Sequence, residues 1–284
     1  MFERLKRVWL QAKAQRKIKK YDKKYRRAKP LLERPPSFHV EDAFDAFVKE
    51  FGGQKVSDIL SEKKGMPLNA DYFFKDHNVI AELKTIEGIY SGPDGPKQLT
   101  DTYIEAGYSG SDVMGLLWRN EPIPTDVSQL IRKRIRRSLE QRIKKARKQL
   151  KMTKEMFGTK DTKSLILIAM DSDPVFGHET MFGNIVNIMA DNYMDEHTDG
   201  IVYMTPNTPS TAPNLSMEMS MWIPSYRDEG ENSHFVDFVN LLGSGWLKFS
   251  GEKIGEETPI LQMETEHEVR AVIELFGNRS NNNR

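Results

Sequence analysis

The stretch "ADYFFKDHNVIAELKT" (residues 70–85) decides how the rest of the sequence is interpreted. Two short apolar runs flank the turn-like "KDHN", which predicts a pair of antiparallel strands. Alternate residues of a strand share a face, so Glu82 and Lys84 project from the same side of the second strand. Burying an isolated carboxylate costs several kcal/mol, so the fold must supply Glu82 with a partner. That partner is Lys84, another side chain or a metal ion.

The residues before this stretch predict a helix and a further strand. Ser37 is a candidate N-cap for a helix through "FHVEDAFDAFVKEFGG", whose apolar residues at 40, 44, 47, 48 and 51 form one stripe. Gly52 and Gly53 end this helix. "KVSDIL" (55–60) is then a plausible strand. A helix followed by an antiparallel meander of three strands is therefore expected.

The residues after this stretch complete an α/β pattern. Residues 86–126 are rich in Gly, Pro, Asp and Ser and predict mostly long loops with a short helix. Apolar residues repeating every three or four positions predict a long helix from 127 to 154. "SLILIAM" (164–170) and "GIVYM" (200–204) have the composition of strands buried on both faces, and the helical segment between them implies a right-handed parallel crossover.

The chain divides into three predicted parts. Residues 1–36 form a basic helical arm, which ends at a proline-rich stretch. Residues 37–204 form the core, with a loop-rich insertion at 86–126. Residues 205–284 form a C-terminal extension packed on the core, in which "HFVDFVNLLGSGWLKF" predicts a helix and then a strand, and a disordered tail is expected from about 278.

Composition limits the classes of protein that fit. The 284 residues include no cysteine, which excludes disulfides, zinc–thiolate sites and thiol catalysis. No run approaches the ~18 apolar residues of a spanning helix. A cytoplasmic location is therefore expected.

Charge is strongly segregated, although the formal net charge is only +1. Residues 1–34 contain 14 Lys and Arg against three acidic residues, and residues 132–154 contain 12 against one. Two basic blocks on an acidic body indicate a polyanionic partner, most simply nucleic acid. Two solvated helix faces would produce the same pattern, and a membrane surface is a further alternative for the arm.

Asp71 suggests a metal site at this position. If the two strands pair through a tight turn, Asp71 and Glu82 come together at one edge of the sheet. Two carboxylates with waters suit Mg²⁺, and a neighbouring lysine can assist an attacking water or hold a phosphate oxygen.

Asp71, a ten-residue gap and then Glu82-Leu83-Lys84 resemble the motif of the restriction-endonuclease-like (PD-(D/E)-x-K) nuclease superfamily. The order helix, three-strand meander, helix, strand within a mixed sheet is also similar to that family's core, over roughly residues 37–204. The resemblance implies that Asp71 and Glu82 bind a divalent metal and that Lys84 assists the water that cleaves a phosphodiester bond. The residue before Asp71 is Ala70, where the family motif has Pro.

Further residues follow from the same resemblance. Many members add a carboxylate from the first helix, and Glu41 is the best candidate for a third metal ligand because it flanks the apolar stripe. Some members place a Gln or Lys on the helix after the motif, which indicates Lys145 and Gln149 as accessory residues. The predicted nucleic-acid contacts lie in the two basic blocks: Arg16, Lys17, Lys19, Lys20, Lys144 and Lys148.

The sequence thus predicts a Mg²⁺-dependent nuclease, with Mn²⁺ as a substitute metal and DNA favoured over RNA as substrate. Cutting both strands with one site per chain would favour a homodimer or a larger complex. Two alternatives stay open: a nucleic-acid-binding or scaffolding module that does not cleave, and a structural ion pair between Glu82 and Lys84 with Asp71 capping a turn.

Overall fold

The computed structural model describes most of the chain between residues 37 and 253. The described residues are 37–60, 69–87, 90, 94–119, 121–157, 161–171, 176–192, 197–207, 210–211, 218–227 and 233–253, together with 13, 16 and 17. The predicted arm, apart from these three residues, and the predicted C-terminal tail lie outside the described residues.

A six-stranded mixed sheet forms the centre of the fold, with the order β1-β2-β3-β4-β5-β8. The three central strands β3, β4 and β5 are parallel, whereas β1, β2 and β8 run antiparallel to their neighbours. A separate pair, β6 and β7, is antiparallel. The strands are β1 Gln54–Lys55, β2 Tyr72–Phe74, β3 Val79–Ile86, β4 Lys163–Met170, β5 Gly200–Met204, β6 Ser210–Thr211, β7 Glu218–Met219 and β8 Trp222–Tyr226.

Helices cover both faces of the sheet. One face packs against α1 and α7, and the other packs against α5 and α6 with contributions from α3 and α4. The helices are α1 Val40–Glu50, α2 Val56–Ile59, α3 Gly95–Glu105, α4 Gly110–Trp118, α5 Thr125–Phe157, α6 Gly177–Asn192 and α7 Ser233–Lys253. The predicted α/β class with a mixed sheet is confirmed. Among the described residues, no helix is long and apolar enough to cross a membrane.

The long helix and the buried strands follow the sequence patterns closely. α5 spans 33 residues, and the predicted apolar stripe from Ile131 to Leu150 is fully buried against the sheet. β4 and β5 are buried almost throughout and pair in parallel, with α6 between them in the chain. Strands buried on both faces have continuous apolar sequences, which is why these two were recognisable.

The segment "KVSDIL" is not a strand over its whole length. β1 ends at Lys55, and residues 56–59 form one turn of helix. Val56 is buried, but Ile59 is 39% exposed. The apolar residues at 56 and 59 are therefore spaced as in a helical turn, and only Val56 packs into the core.

The prediction of mostly loops with one short helix over residues 86–126 is also corrected, because two helices, α3 and α4, occupy about half of this segment. Proline lies in the first turn of α3, where its missing N–H costs no hydrogen bond. Gly107, with a φ of +96°, follows directly after the last turn of this helix. The Gly and Pro residues that suggested loops mark helix boundaries here.

The part of the chain after residue 204 completes the sheet and its cover. β8 pairs with β5, and α7 packs with α1 over the sheet. The predicted helix-then-strand is instead one helix, which continues through Gly243 and Gly245. A Cβ atom at Gly243 would lie 2.5 Å from the indole nitrogen of Trp222, so this glycine serves close packing and not a turn.

Asp199 joins three strands at the end of the sheet where β5 begins. Its Oδ2 accepts the backbone N–H and the hydroxyl of Ser164 at 2.8 and 2.9 Å. Lys154 and Arg227 pair with the carboxylate at 3.1 and 3.2 Å. Burial raises the pKa of Asp199, but Lys154 and the hydrogen bonds from Ser164 outweigh it, so the pKa is lowered overall. These contacts therefore stabilise the ionised form of the buried Asp199 carboxylate.

Candidate active site

β3 presents a different face to each layer of helices. The odd-numbered residues of 79–83 pack with α1 and α7, whereas Ile80 and Ile86 pack with α5. Because side chains alternate along a strand, Glu82 and Lys84 lie on the α5 face. The two charged side chains are in direct contact there. The expectation that they share one face is confirmed.

Glu82 is fully buried, with 0% of its side chain exposed. Its Oε1 pairs with the ammonium of Lys84, whose side chain is 17% exposed. The other oxygen, Oε2, is buried and has no hydrogen-bond partner within the described part of the chain. Burial, and then the negative charge of Asp71, raises the pKa of Glu82 to about 8, although Lys84 opposes this. A buried oxygen without a partner requires an explanation, such as an ion or a water.

Asp71 lies directly before β2 and beside β3. Tyr72 pairs with Ala81, and the N–H of Asp71 also donates to the Ala81 carbonyl, at 3.1 Å. The charge of Asp71 raises the pKa of Glu82, the residue that follows Ala81. The two strand carboxylates of the predicted motif therefore occupy neighbouring positions in the fold.

The side chain of Asp71 already makes one strong contact. Its Oδ2 accepts the backbone N–H of Leu83 at 2.8 Å. β2 begins at Tyr72, which pairs with Ala81, so Leu83 lies beyond the residues that pair with β2. Burial raises the pKa of Asp71, and the charges of Glu41 and Asp45 raise it further. The Leu83 N–H and the charge of Lys84 oppose this shift, but burial prevails. Asp71 thus lies in a locally acidic, poorly hydrated position.

Glu41 approaches the site from the first turn of α1. Its exposed carboxylate accepts a hydrogen bond from the Thr85 hydroxyl at 3.2 Å, and its charge raises the pKa of Asp71. Among the residues that the structure describes, no group of three or more His, Asp or Glu side chains is arranged to hold a metal ion. The three predicted carboxylates are therefore neighbours but are not gathered around one point.

Asp45 was not predicted to take part, yet it organises this region. It lies one turn after Glu41, where it accepts a hydrogen bond from the Tyr72 hydroxyl at 2.8 Å and pairs with Lys55. Burial, and then Asp45, raises the pKa of Tyr72 far above its usual range. The contacts anchor α1 to β1 and β2 and neutralise one of the four acidic groups around the site. The spacing of four from Glu41 was the only signal in the sequence.

α5 holds the chain just before Asp71. The hydroxyl of Thr153 accepts the Ala70 N–H at 2.8 Å and donates to the Gln149 carbonyl at 2.9 Å. The side-chain amide of Gln149 donates to the Asn69 carbonyl at 2.9 Å. Its own oxygen, Oε1, is buried and lacks a partner among the described residues. The predicted accessory residue Gln149 therefore contacts the chain two residues before Asp71, and Thr153 is a second such contact that the sequence did not reveal.

The other predicted contact residues lie at the surface or outside the described chain. Lys144, Lys145 and Lys148 are exposed on α5, and no described contact joins Lys145 to the carboxylates. Arg16 is exposed and Lys17 is half-buried, and both residues are helical. Lys19 and Lys20 lie outside the described residues.

A divalent cation fits the chemistry of the two strand carboxylates. Mg²⁺ takes oxygen ligands and is held by one or two carboxylates while it keeps several waters. Glu82 Oε2 is buried without a partner in the described structure, and Asp71 uses only one oxygen in its contact with Leu83. Two oxygens that suit a hard cation are thus left over, and such a cation would favour the ionised form of both carboxyl groups.

Comparison of the chain with models of known protein families, with curated proteins and with solved structures found no match in any of the three. Asp71, Glu82 and Lys84, and the order of the elements that carry them, are the features of the chain that point to a function.

Proposed function

We propose that this chain is a Mg²⁺-dependent nuclease that hydrolyses phosphodiester bonds, with DNA as the substrate. The observation that carries the proposal is the fully buried Glu82 carboxyl group, with Lys84 in contact and with Asp71, directly before β2, close enough for its charge to raise the pKa of Glu82. A chain would gain stability by replacing such a buried charge with an apolar residue. Its presence in an apolar strand is best explained by chemistry at this position.

The element order supports the same reading. α1, the antiparallel strands β1 to β3, α5 and β4 follow one another as in the restriction-endonuclease-like superfamily that the motif resembles. In that arrangement, Asp71 and Glu82 would hold the metal, with Glu41 as a further carboxylate near it. A bound divalent cation would supply Lewis-acid activation of a water and neutralise charge on the phosphate.

The side chains of this protein would contribute orientation and proton handling. The Leu83 N–H fixes one oxygen of Asp71, so that the other is free to point away from the strand. Lys84 is partly exposed and carries up to three N–H donors, one of which Glu82 uses. The remaining donors would hold a phosphate oxygen or orient the attacking water. Glu82 itself is shielded from bulk water, since none of its side chain is exposed.

Cleavage of DNA by the pure protein is the direct test. Supercoiled and linear DNA would be incubated with parent protein in EDTA, in Mg²⁺ and in Mn²⁺. We expect cleavage with either metal and none in EDTA. Glu82→Gln should abolish cleavage, whereas Glu50→Gln, which alters an exposed glutamate of α1, should not. Equal cleavage by parent and Glu82→Gln would rule out this site as the reaction centre.

A second function, binding nucleic acid without cleavage, is favoured by one observation. Glu82 and Lys84 neutralise one another in the structure, and no described group of three ligands gathers around a metal position. Under this alternative, the parent binds DNA in EDTA and in Mg²⁺ with equal affinity and does not cut it. A homodimer and a cytoplasmic location remain predictions under either function.

A further inference from the structure

The outer face of α5 carries a row of five exposed cations. The row consists of Lys133, Arg137, Lys144, Lys148 and Lys151, at spacings of four, seven, four and three residues. Residues three, four or seven apart lie on the same side of a helix, so the five form one continuous strip. This strip is called the outer row below.

Three other cations of α5 have an acidic partner, whereas no described acidic side chain contacts the outer row. Arg134 pairs with Glu105, and Arg136 pairs with Asp191. Lys154 likewise pairs with Asp199. Within the described part of the chain, no ion pair or hydrogen bond of a side chain in the outer row is present, and the acidic residues nearest to it on the helix are Glu140 and Glu155.

Within the row, neighbouring charges repel one another. Lys133 and Arg137 are four residues apart, as are Lys144 and Lys148, and Lys151 follows three residues later. Like charges at these spacings destabilise a helix by about 0.2–0.5 kcal/mol per pair. Glu140 and Glu155 lie on the same side of the helix, four residues from Lys144 and from Lys151, and they offset only part of this repulsion. The repulsion would be relieved by a polyanion bound along the face.

The dimensions of the row suit a nucleic-acid backbone. From Lys133 to Lys151 the helix rises about 27 Å at 1.5 Å per residue. This corresponds to roughly eight base pairs of a duplex at about 3.4 Å per pair. No aromatic side chain occurs in α5 before Phe157, so the row offers contacts to phosphates but no surface on which bases stack. These features favour a duplex over a single strand.

The outer row points away from the proposed reaction centre. The buried stripe of α5, from Ile131 to Leu150, packs on the sheet face that carries Glu82. At about 100° per residue, the centre of the outer row lies roughly 170° around the helix from the centre of that stripe. The two surfaces are thus separated by the thickness of the helix, about 10 Å with its side chains.

We propose that the outer row is a binding surface for the phosphate backbone of duplex nucleic acid, distinct from the reaction centre at Asp71, Glu82 and Lys84. The proposal deepens and rests on the proposed function, since it names the form of the substrate and where the protein holds it. A duplex must then be long enough to occupy the row as well as the site, and contact with the row does not depend on base sequence.

The test measures binding without cleavage. The affinity of full-length protein for a fluorescent duplex of about 20 base pairs would be followed by anisotropy, in EDTA, between about 50 and 200 mM salt. The test variant replaces Lys144, Lys148 and Lys151 with Gln. The matched control replaces Lys49, Lys75 and Lys248 with Gln, which removes the same charge from exposed positions of α1, the β2–β3 turn and α7.

Each phosphate contact contributes about 0.9 to the slope of log affinity against log salt. Loss of three contacts should lower the slope of the test variant by about 2.7, so the parent should lose roughly 40-fold more affinity than this variant across the salt range. The control variant should keep the parent slope. Equal slopes for the test and control variants, with circular dichroism showing both folded, would overturn the proposal.

Two further arms separate the duplex from other polyanions. If the test variant loses more affinity for a single strand than for the duplex, the proposal is also overturned. It is likewise overturned if the test variant loses binding to vesicles of anionic lipid but still binds the duplex like the parent. Since binding is measured in EDTA, failure of the parent to cleave DNA in Mg²⁺ would contradict the proposed function and leave this result unaffected.

Discussion

Replacing Glu82 with Gln tests whether ionisation of this buried carboxyl group destabilises the folded protein. Glutamine has the same shape and resembles the protonated acid, but it cannot ionise. Burial, with Asp71 nearby, raises the pKa of Glu82 from 4.5 to about 8. Between these two pH values the folded protein holds a proton that the unfolded chain has released. The stability contributed by this group is therefore complete below about pH 4.5 and is lost as the pH rises through about 8.

The size of the effect follows from the shift. A difference of about 3.5 pKa units corresponds to roughly 5 kcal/mol at most, because each unit is worth about 1.4 kcal/mol. The pKa of about 8 already includes the opposing effect of Lys84. Parent and Glu82→Gln should thus be equally stable near pH 4.5, and the variant should become the more stable protein by several kcal/mol above pH 8.

Urea unfolding of both proteins in EDTA, at several pH values between about 4.5 and 8.5, measures the difference. Groups far from Glu82 titrate alike in both proteins, so the difference reports on Glu82 and on the neighbours coupled to it, Asp71 and Lys84. Adding Mg²⁺ at 100 times its dissociation constant should restore about 2.7 kcal/mol to the parent above pH 8 and nothing to the variant. A difference in stability that stays constant with pH would refute the argument that burial controls this carboxyl group.

Two other changes test the packing around the site. Thr153→Val should cost about 1–3 kcal/mol and slow any cleavage, since it leaves the buried N–H of Ala70 without an acceptor, whereas Thr153→Ser should behave like the parent in both assays. Gly243→Ala should lower stability by about 1–2 kcal/mol, the cost of overpacking less the gain in helix propensity. Gly183→Ala, where the added methyl meets open space within α6, should instead raise stability by up to about 1 kcal/mol; equal melting shifts for the two glycines would contradict this account.

Much of the fold was predictable because its strongest signals are periodic. The buried stripe of α5 and the continuous apolar sequences of β4 and β5 each allow one interpretation. Errors arose where glycine was taken as a sign of a loop or a turn. In α7, Gly243 is needed for contact with a side chain from β8, which is far away in sequence. Contacts of this kind depend on the tertiary structure and leave no local pattern.

The candidate site was visible for a related reason. Glu82 and Lys84 conflict with the apolar strand around them, and such a conflict between local sequence and burial is typical of functional positions. Thr153 shows no such conflict, since a threonine is tolerated in a helix and its hydroxyl can bond to its own helix. That it meets the N–H of Ala70 depends on how α5 lies across the sheet, which the sequence does not specify.

The distribution of charge links the two proposals. When ionised, Asp71, Glu82 and Glu41 outnumber the single cation Lys84, so the reaction centre repels a phosphate unless a divalent cation is bound there. The outer row of α5 has the opposite sign and needs no metal to attract a backbone. Affinity for nucleic acid should therefore persist in EDTA, whereas entry of the scissile phosphate should require Mg²⁺. Under the two proposals, one helix separates a metal-independent binding surface from a metal-dependent site, with its buried stripe packed on β3 and its cations turned outwards.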